Sequence, residues 1–154
     1  MPIYFFDSSA LAKRYVAEVG SNWVKSICNP NAQNIIACSN LAEVEVSSAF
    51  CRRCREGYIT TSERDGLIAT LHHDCNVEYY LLNVTNTILN RAIDLLKNYP
   101  LRGYDAVQLA TALVANQILV SNGLPALTFA CADNRLCDAA ASEGLTVENP
   151  INYP

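Results

Sequence analysis

Ile3-Tyr4-Phe5-Phe6-Asp7-Ser8-Ser9-Ala10-Leu11 reads as a strand running straight into a helix. Four apolar residues without polar alternation suit a strand buried on both faces, as the strands of parallel sheets are. Ser8 or Ser9 is then the expected N-cap of a helix reaching about Val16, because a serine oxygen can accept from a free first-turn amide. Asp7 stands at the junction, and residues just past the ends of parallel strands line one common crevice.

The same punctuation recurs along the chain. Asn34 to Ala37, Val77 to Leu82 and Leu127 to Ala132 read as further strands, with Leu145 to Glu148 as a short edge strand. Helical patterns lie between them. Ser21 to Cys28 is closed by Asn29-Pro30, and Ser39 caps a long pattern to Glu56 that Gly57 ends in a left-handed position. Thr61 or Ser62 opens an antiparallel partner to about Cys75, and Thr85 or Thr87 opens a helix to Asn98 that Pro100 stops. Tyr104 to Val120 and Asn134 to Ser142 complete the set. Strands alternating with helices imply crossover connections, hence an α/β fold with a mainly parallel sheet of four to five strands. At 154 residues the chain suits one domain, over 1–148, with 149–154 as an irregular tail.

Composition narrows the function classes. With 51% hydrophobic and 17% charged residues the chain is globular rather than disordered. No apolar run approaches the ~20 residues of a membrane span. No basic stretch precedes the first apolar run, so no signal peptide is expected. Seven cysteines, an odd number, then point to reduced thiols in a cytoplasm. Cys51-x2-Cys54 with His72, His73 and Cys75 could suggest zinc. On an antiparallel helix pair turning near Gly57-Tyr58, however, Cys75 falls on the order of 15 Å beyond Cys51, which favours small packing residues. A net charge of −4 argues against a chain-wide nucleic-acid footprint. Local basic groups remain at Lys13-Arg14, Arg52-Arg53 with Arg55, Arg102 and Arg135.

Four acids stand where they could share a site. Asp7 and Asp133 each follow an apolar strand, Asp105 opens the helix of Ala106 to Gln117, and Glu45 lies within the Ser39 to Glu56 helix. Each has a plain reading too: Asp7 and Asp133 as N-caps, Asp105 as a first-turn acid complementing the helix dipole. Glu45 is harder to dismiss. Leu41, Val44, Ser48 and Cys51 form an i, i+3, i+7, i+10 stripe beside it, and a buried unpaired glutamate is costly. Glu43 lies about 160° around the helix and is expected in solvent. Carboxylates gathered at one crevice repel each other, so such a cluster normally serves a hard cation. Ser9 could orient a carboxylate of that cluster.

These stretches carry a family resemblance covering nearly the whole chain. Tyr4 to Tyr15, Ser39 to Arg53, Leu101-Arg102-Gly103-Tyr104-Asp105-Ala106-Val107-Gln108-Leu109-Ala110-Thr111-Ala112 and Phe129 to Leu136 together resemble the PIN-domain nucleases, particularly the VapC-like toxins of toxin–antitoxin pairs. The resemblance implies a three-layer α/β/α fold and an endoribonuclease using Mg²⁺ or Mn²⁺. It implies Asp7, Glu45, Asp105 and Asp133 as catalytic metal ligands, with Ser9 and Asn134 in support. An RNA substrate, a cognate antitoxin and a homodimer follow from the same likeness. Arg14, Arg52 and Arg102 are candidate phosphate contacts, each with the alternative of a solvated surface charge. Two departures stand out: the family often has His where Gln108 stands, and often a charged residue where Asn134 stands.

Other chemistries fit less well. A phosphoaspartyl phosphatase wants a second acid two residues after the first, where this chain has Ser9. No G-x-G-x-x-G follows the first strand, which disfavours a dinucleotide site. The remaining alternative is a PIN-like binding or scaffold module without turnover.

Overall fold

In the computed structural model, which describes residues 1–154, five parallel strands form one sheet. They are β1 (Ile3–Phe6), β2 (Ile35–Ser39), β3 (Tyr80–Leu82), β4 (Thr128–Ala130) and β5 (Thr146–Glu148). Their order is β3-β2-β1-β4-β5, so the chain walks outward from β1 to β3, then returns to the other side of β1 with β4. The boundary between β1 and β4 is therefore the switch point where α/β sheets open a crevice at the strands' carboxyl ends.

Helices cover both faces. Helices α1 (Ser8–Leu11), α2 (Ser21–Cys28), α3 (Ala42–Arg55) and α4 (Thr61–Val77) bury Leu11, Val24, Phe50 and Leu71 against Phe6, Ile36 and Cys38. Helices α5 (Asn86–Asn98), α6 (Gly103–Ser121) and α7 (Asn134–Ser142) bury Leu95, Leu109 and Leu136 against Phe5, Ala37 and Phe129. Adjacent strand residues thus feed opposite cores, as the pleat requires. Phe5 stacks on Phe129 with ring centroids 5.8 Å apart, fixing β1 beside β4. The result is a three-layer α/β/α molecule, and none of its helices is long and apolar enough to cross a membrane.

Several boundaries differ from the sequence reading. The first helix is short: α1 gives way to a 3-10 turn at Ala12–Arg14, and its N-cap is Asp7 rather than Ser8 or Ser9. Ser39 is the buried last residue of β2, its hydroxyl oxygen accepting from Leu41 N at 3.1 Å, and α3 starts only at Ala42. The buried stripe of α3 is Ala42, Val46 and Phe50, an i, i+4, i+8 row, while Val44 is 65% exposed. Helix α4 is capped by Thr60 and continues through Val77, itself exposed, so β3 begins at Tyr80 and is short. Gly57 does adopt the left-handed position, at φ 82°.

The tail is ordered by packing. Asn149 caps a 3-10 turn at Pro150–Asn152, and Tyr153 stacks on Trp23 of α2 with centroids 5.1 Å apart. Gly20 makes this possible. Its φ is +90°, and a Cβ there would lie 2.4 Å from the Pro150 carbonyl oxygen.

Candidate active site

Each acid reaches the crevice from a different element. Asp7 ends β1, and its backbone N–H donates to Ala130 O of β4 at 3.0 Å, tying it to the switch point. The carboxylate accepts from Ala10 N at 2.9 Å, which caps α1. The Ser9 hydroxyl lies 2.7 and 2.8 Å from the two carboxylate oxygens. Ser9 Oγ in turn accepts from Ala132 N at 3.0 Å, so one serine fastens the end of β1 to the segment leaving β4. Asp133 follows that segment and caps α7 through Leu136 N at 3.1 Å. Asp7 and Asp133 are thus N-caps that also stand at the crevice: capping occupies one oxygen and fixes the carboxyl group there.

Asp105 projects from the first turn of α6, and Glu45 from the first turn of α3. Together with Asp7 and Asp133 they line one cleft of about 670 Å³, with Ser8, Ser9, Gln108, Arg52 and Arg102 among its other walls. Glu45 accepts from Gln108 Nε2 at 2.7 Å, and the same amide donates to Ser8 Oγ at 3.2 Å.

The electrostatics follow from burial. Asp7 is 3% exposed, and its carboxyl is pushed up to about 6 by burial, against the lowering effect of the Ala10 amide and Ser9. Burial also raises Asp105, with the nearby Asp133 charge adding to it and Arg102 opposing. Glu45 is raised by burial and partly restored by its bonds to Gln108 and Ser8. Three carboxyl groups thus stand where ionisation is unfavourable without added positive charge.

The donor set is all oxygen, which suits a hard divalent ion such as Mg²⁺ or Mn²⁺. Gln108 adds a buried carbonyl oxygen with no hydrogen-bond partner in the same wall. In this arrangement, however, no three carboxylates, cysteines or histidines converge closely enough to form a closed ligand group. The residue chemistry fits the ion; the spacing leaves the last approach to side-chain movement.

The candidate phosphate contacts divide. Arg52 and Arg102 line the cleft and have no carboxylate partner within salt-bridge distance. Arg14 does not reach it. Its guanidinium is held by Glu78 at 2.7 Å, by Asp74 at 3.6 Å and by the Tyr79 hydroxyl, locking the turn after α1 against α4. Asn134 faces a neighbouring hollow of about 390 Å³ with Arg102 and Arg135, and accepts from Asn149 Nδ2 at 3.2 Å. Glu43, expected in solvent, pairs with His72 at 2.6 Å across α3 and α4.

Three further residues line the cleft wall: Ser8, which the sequence marks only as a cap, Lys13, which it marks only as a local base, and Gln108, which stands out only as a departure from the family pattern. Lys13 is buried and pairs with Glu18 at 2.9 Å in the cleft wall. The spacing of Gln108, three residues after Asp105, was the available signal, since i and i+3 share a helix face.

No family model matches the chain. Two curated relatives from Mycobacterium tuberculosis do: Ribonuclease VapC45 of strain CDC 1551 and Ribonuclease VapC49 of strain H37Rv. Each is 31% identical over 150 residues, covering 96% of this chain and 95% of the relative. Among solved structures, M. tuberculosis VapC20, described as a sarcin–ricin-loop-cleaving toxin, superposes with a TM-score of 0.61 at 16% identity, covering 94% of this chain and 96% of that one. VapBC2 of Rickettsia felis, bound to a DNA fragment from its promoter, gives 0.61 at 11% identity, covering 96% and 98%. At such identities the structural likeness speaks for the fold.

Proposed function

The chain belongs to the VapC ribonucleases, and from that premise we propose that its acidic cleft is the centre of a divalent-metal-dependent endoribonuclease, the toxin of a toxin–antitoxin pair. The observation that carries the reading is the meeting of four carboxylates at the β1/β4 switch point, three of them disfavoured as anions by burial. Such an arrangement is uphill unless a cation offsets it.

Asp7, Asp105 and Asp133 would hold Mg²⁺ or Mn²⁺ directly or through water, and Glu45 would complete the shell or orient the attacking water. When bound, the ion would supply a lowered water pKa and charge neutralisation at the scissile phosphate. Ser9, itself anchored by the Ala132 amide, lies against both Asp7 carboxylate oxygens and keeps that group in place. Arg52 and Arg102 stand on the cleft wall, free to meet phosphates flanking the cleaved bond. The neighbouring structures include toxin–antitoxin complexes, which supports a cognate antitoxin presenting an arginine to the carboxylates. A homodimer is the assembly the family implies, readable by light scattering. A cytoplasmic setting agrees with seven free thiols.

One observation favours the second reading, a module without turnover: no three acids form a closed ligand group. Cleavage of a panel of structured and single-stranded RNAs decides between them, with Mg²⁺, Mn²⁺ or EDTA and with any co-purified partner stripped away. Cleavage that needs the ion and disappears in Asp7→Asn is expected. Equal inertness of folded wild type and variant would overturn the nuclease reading.

A further inference from the structure

Gln108 occupies an expensive position. It is 1% exposed in the second turn of α6, and its amide nitrogen reaches out of the core to Glu45 of α3 and Ser8 of α1. These partners come from helices on the opposite face of the sheet. Glu45 as a carboxylate can only accept, so the amide must turn its nitrogen to it. That leaves Gln108 Oε1 buried with no partner. A buried unmade acceptor opposes folding, and an apolar side chain of the same shape would avoid it.

We propose that Gln108 is a positioning residue: it holds the Glu45 carboxylate in the cleft for cation binding, at the expense of its own unpaired carbonyl. The inference rests on the reading of the cleft as a divalent-cation site and deepens it. Glu45 stands in the first turn of α3 on a flexible side chain; Gln108 Nε2 donates to its carboxylate at 2.7 Å, and Ser8, the other side chain that favours its charged form, is itself held by Gln108 at 3.2 Å. Asp7, by contrast, is fixed by both a backbone amide and Ser9. Of these two acids, Glu45 is the one held by side chains alone, and both of those side chains meet at the Gln108 amide. Asp105 lies three residues before Gln108 on the same helix, so α6 brings one acid to the cleft itself and steadies another.

Mn²⁺ affinity measured by isothermal titration calorimetry, without RNA, separates this role from a packing role. Gln108→Met removes the donor at similar volume and also removes the orphaned acceptor. Its expected result is an Mn²⁺ affinity lower by about 10-fold or more, with a melting temperature equal to wild type or higher. Gln108→His, which keeps an N–H donor, recovers most of the affinity. In a Glu45→Ala background the effect of Gln108→Met on affinity vanishes, as a double-mutant cycle requires of a residue acting through Glu45. The proposal is overturned if Gln108→Met binds Mn²⁺ as wild type does. It is equally overturned if the loss persists undiminished without Glu45, or accompanies a fall in melting temperature. Failure of the wild type to bind Mn²⁺ would instead remove the cation reading, and this inference with it.

Discussion

Asp7 shows how one carboxyl group serves fold and site at once. As a cap it stabilises the start of α1, and as a buried anion it opposes the folded state. Its folded pKa of about 6 lies above the ordinary 3.8, so the folded protein holds this proton more tightly than the unfolded chain does. The stabilisation from Asp7 is therefore complete below 3.8 and is lost as pH rises through about 6. In EDTA, calorimetry should show Asp7→Asn melting above wild type at pH 7, by about 1–3 kcal/mol of stability, with the difference gone near pH 4. Parallel pH profiles for the two proteins would remove this account. Cation binding must also displace that proton, so Mn²⁺ affinity should fall as pH drops below about 6 in wild type.

At the scale of elements, three arginines that are equally candidate phosphate contacts by sequence take unlike roles. Arg14 bonds Glu78 and Tyr79, and Tyr79 and Asp74 both meet the Tyr15 hydroxyl, so the end of α1 is bolted to α4. Arg14→Ala should cost about 1.5–3 kcal/mol in urea unfolding while leaving the turnover rate of the folded fraction unchanged. A lost kcat at full stability would place Arg14 in the site instead. Arg52→Ala and Arg102→Ala should do the opposite, raising KM for RNA several-fold and flattening its salt dependence with stability within about 0.5 kcal/mol of wild type. Helix α3 carries a related lesson. The sequence sets Glu45 rather than Glu43 beside a Leu41-Val44-Ser48-Cys51 stripe, yet the buried row is Ala42-Val46-Phe50. Glu45 lines the cleft because it borders that row, whereas Glu43 meets His72 of α4. The helix period was legible, but its phase was set by Phe50 packing against Tyr15.

At the scale of the molecule, the C-terminal turn ties one wall of the cleft to the far edge of the sheet. Pro150 sits against Gly20, Tyr153 stacks on Trp23, and Ile151 reaches the cleft. Gly20→Ala would force a side chain into the Pro150 carbonyl at a left-handed φ. It should destabilise by about 1–3 kcal/mol and change the fluorescence of Trp23 as the stack separates; an unchanged spectrum and stability would show the turn to be loosely held. Divalent cation acts on the whole fold by linkage. At a hundred times its Kd, Mn²⁺ should stabilise wild type by about 2.7 kcal/mol, and Asp7→Asn by much less.

The alternation of strand and helix, and the acids at their junctions, were determined by sequence alone. These signals are local: a buried strand followed by a capped turn is written within about ten residues, as in Ile3 to Leu11. Which junctions meet was decided only by tertiary structure. The return of the chain to place β4 beside β1 brings Asp133 to Asp7, although 126 positions separate them in the numbering (133 − 7). Contacts across the sheet's carboxyl end gave Gln108 its two partners, the approach of the turn after α1 to the end of α4 gave Arg14 its bonds to Asp74, Glu78 and Tyr79, and packing on Trp23 docks the irregular tail. Partner choice depends on strand order and helix phase, which follow from burying both sheet faces at once.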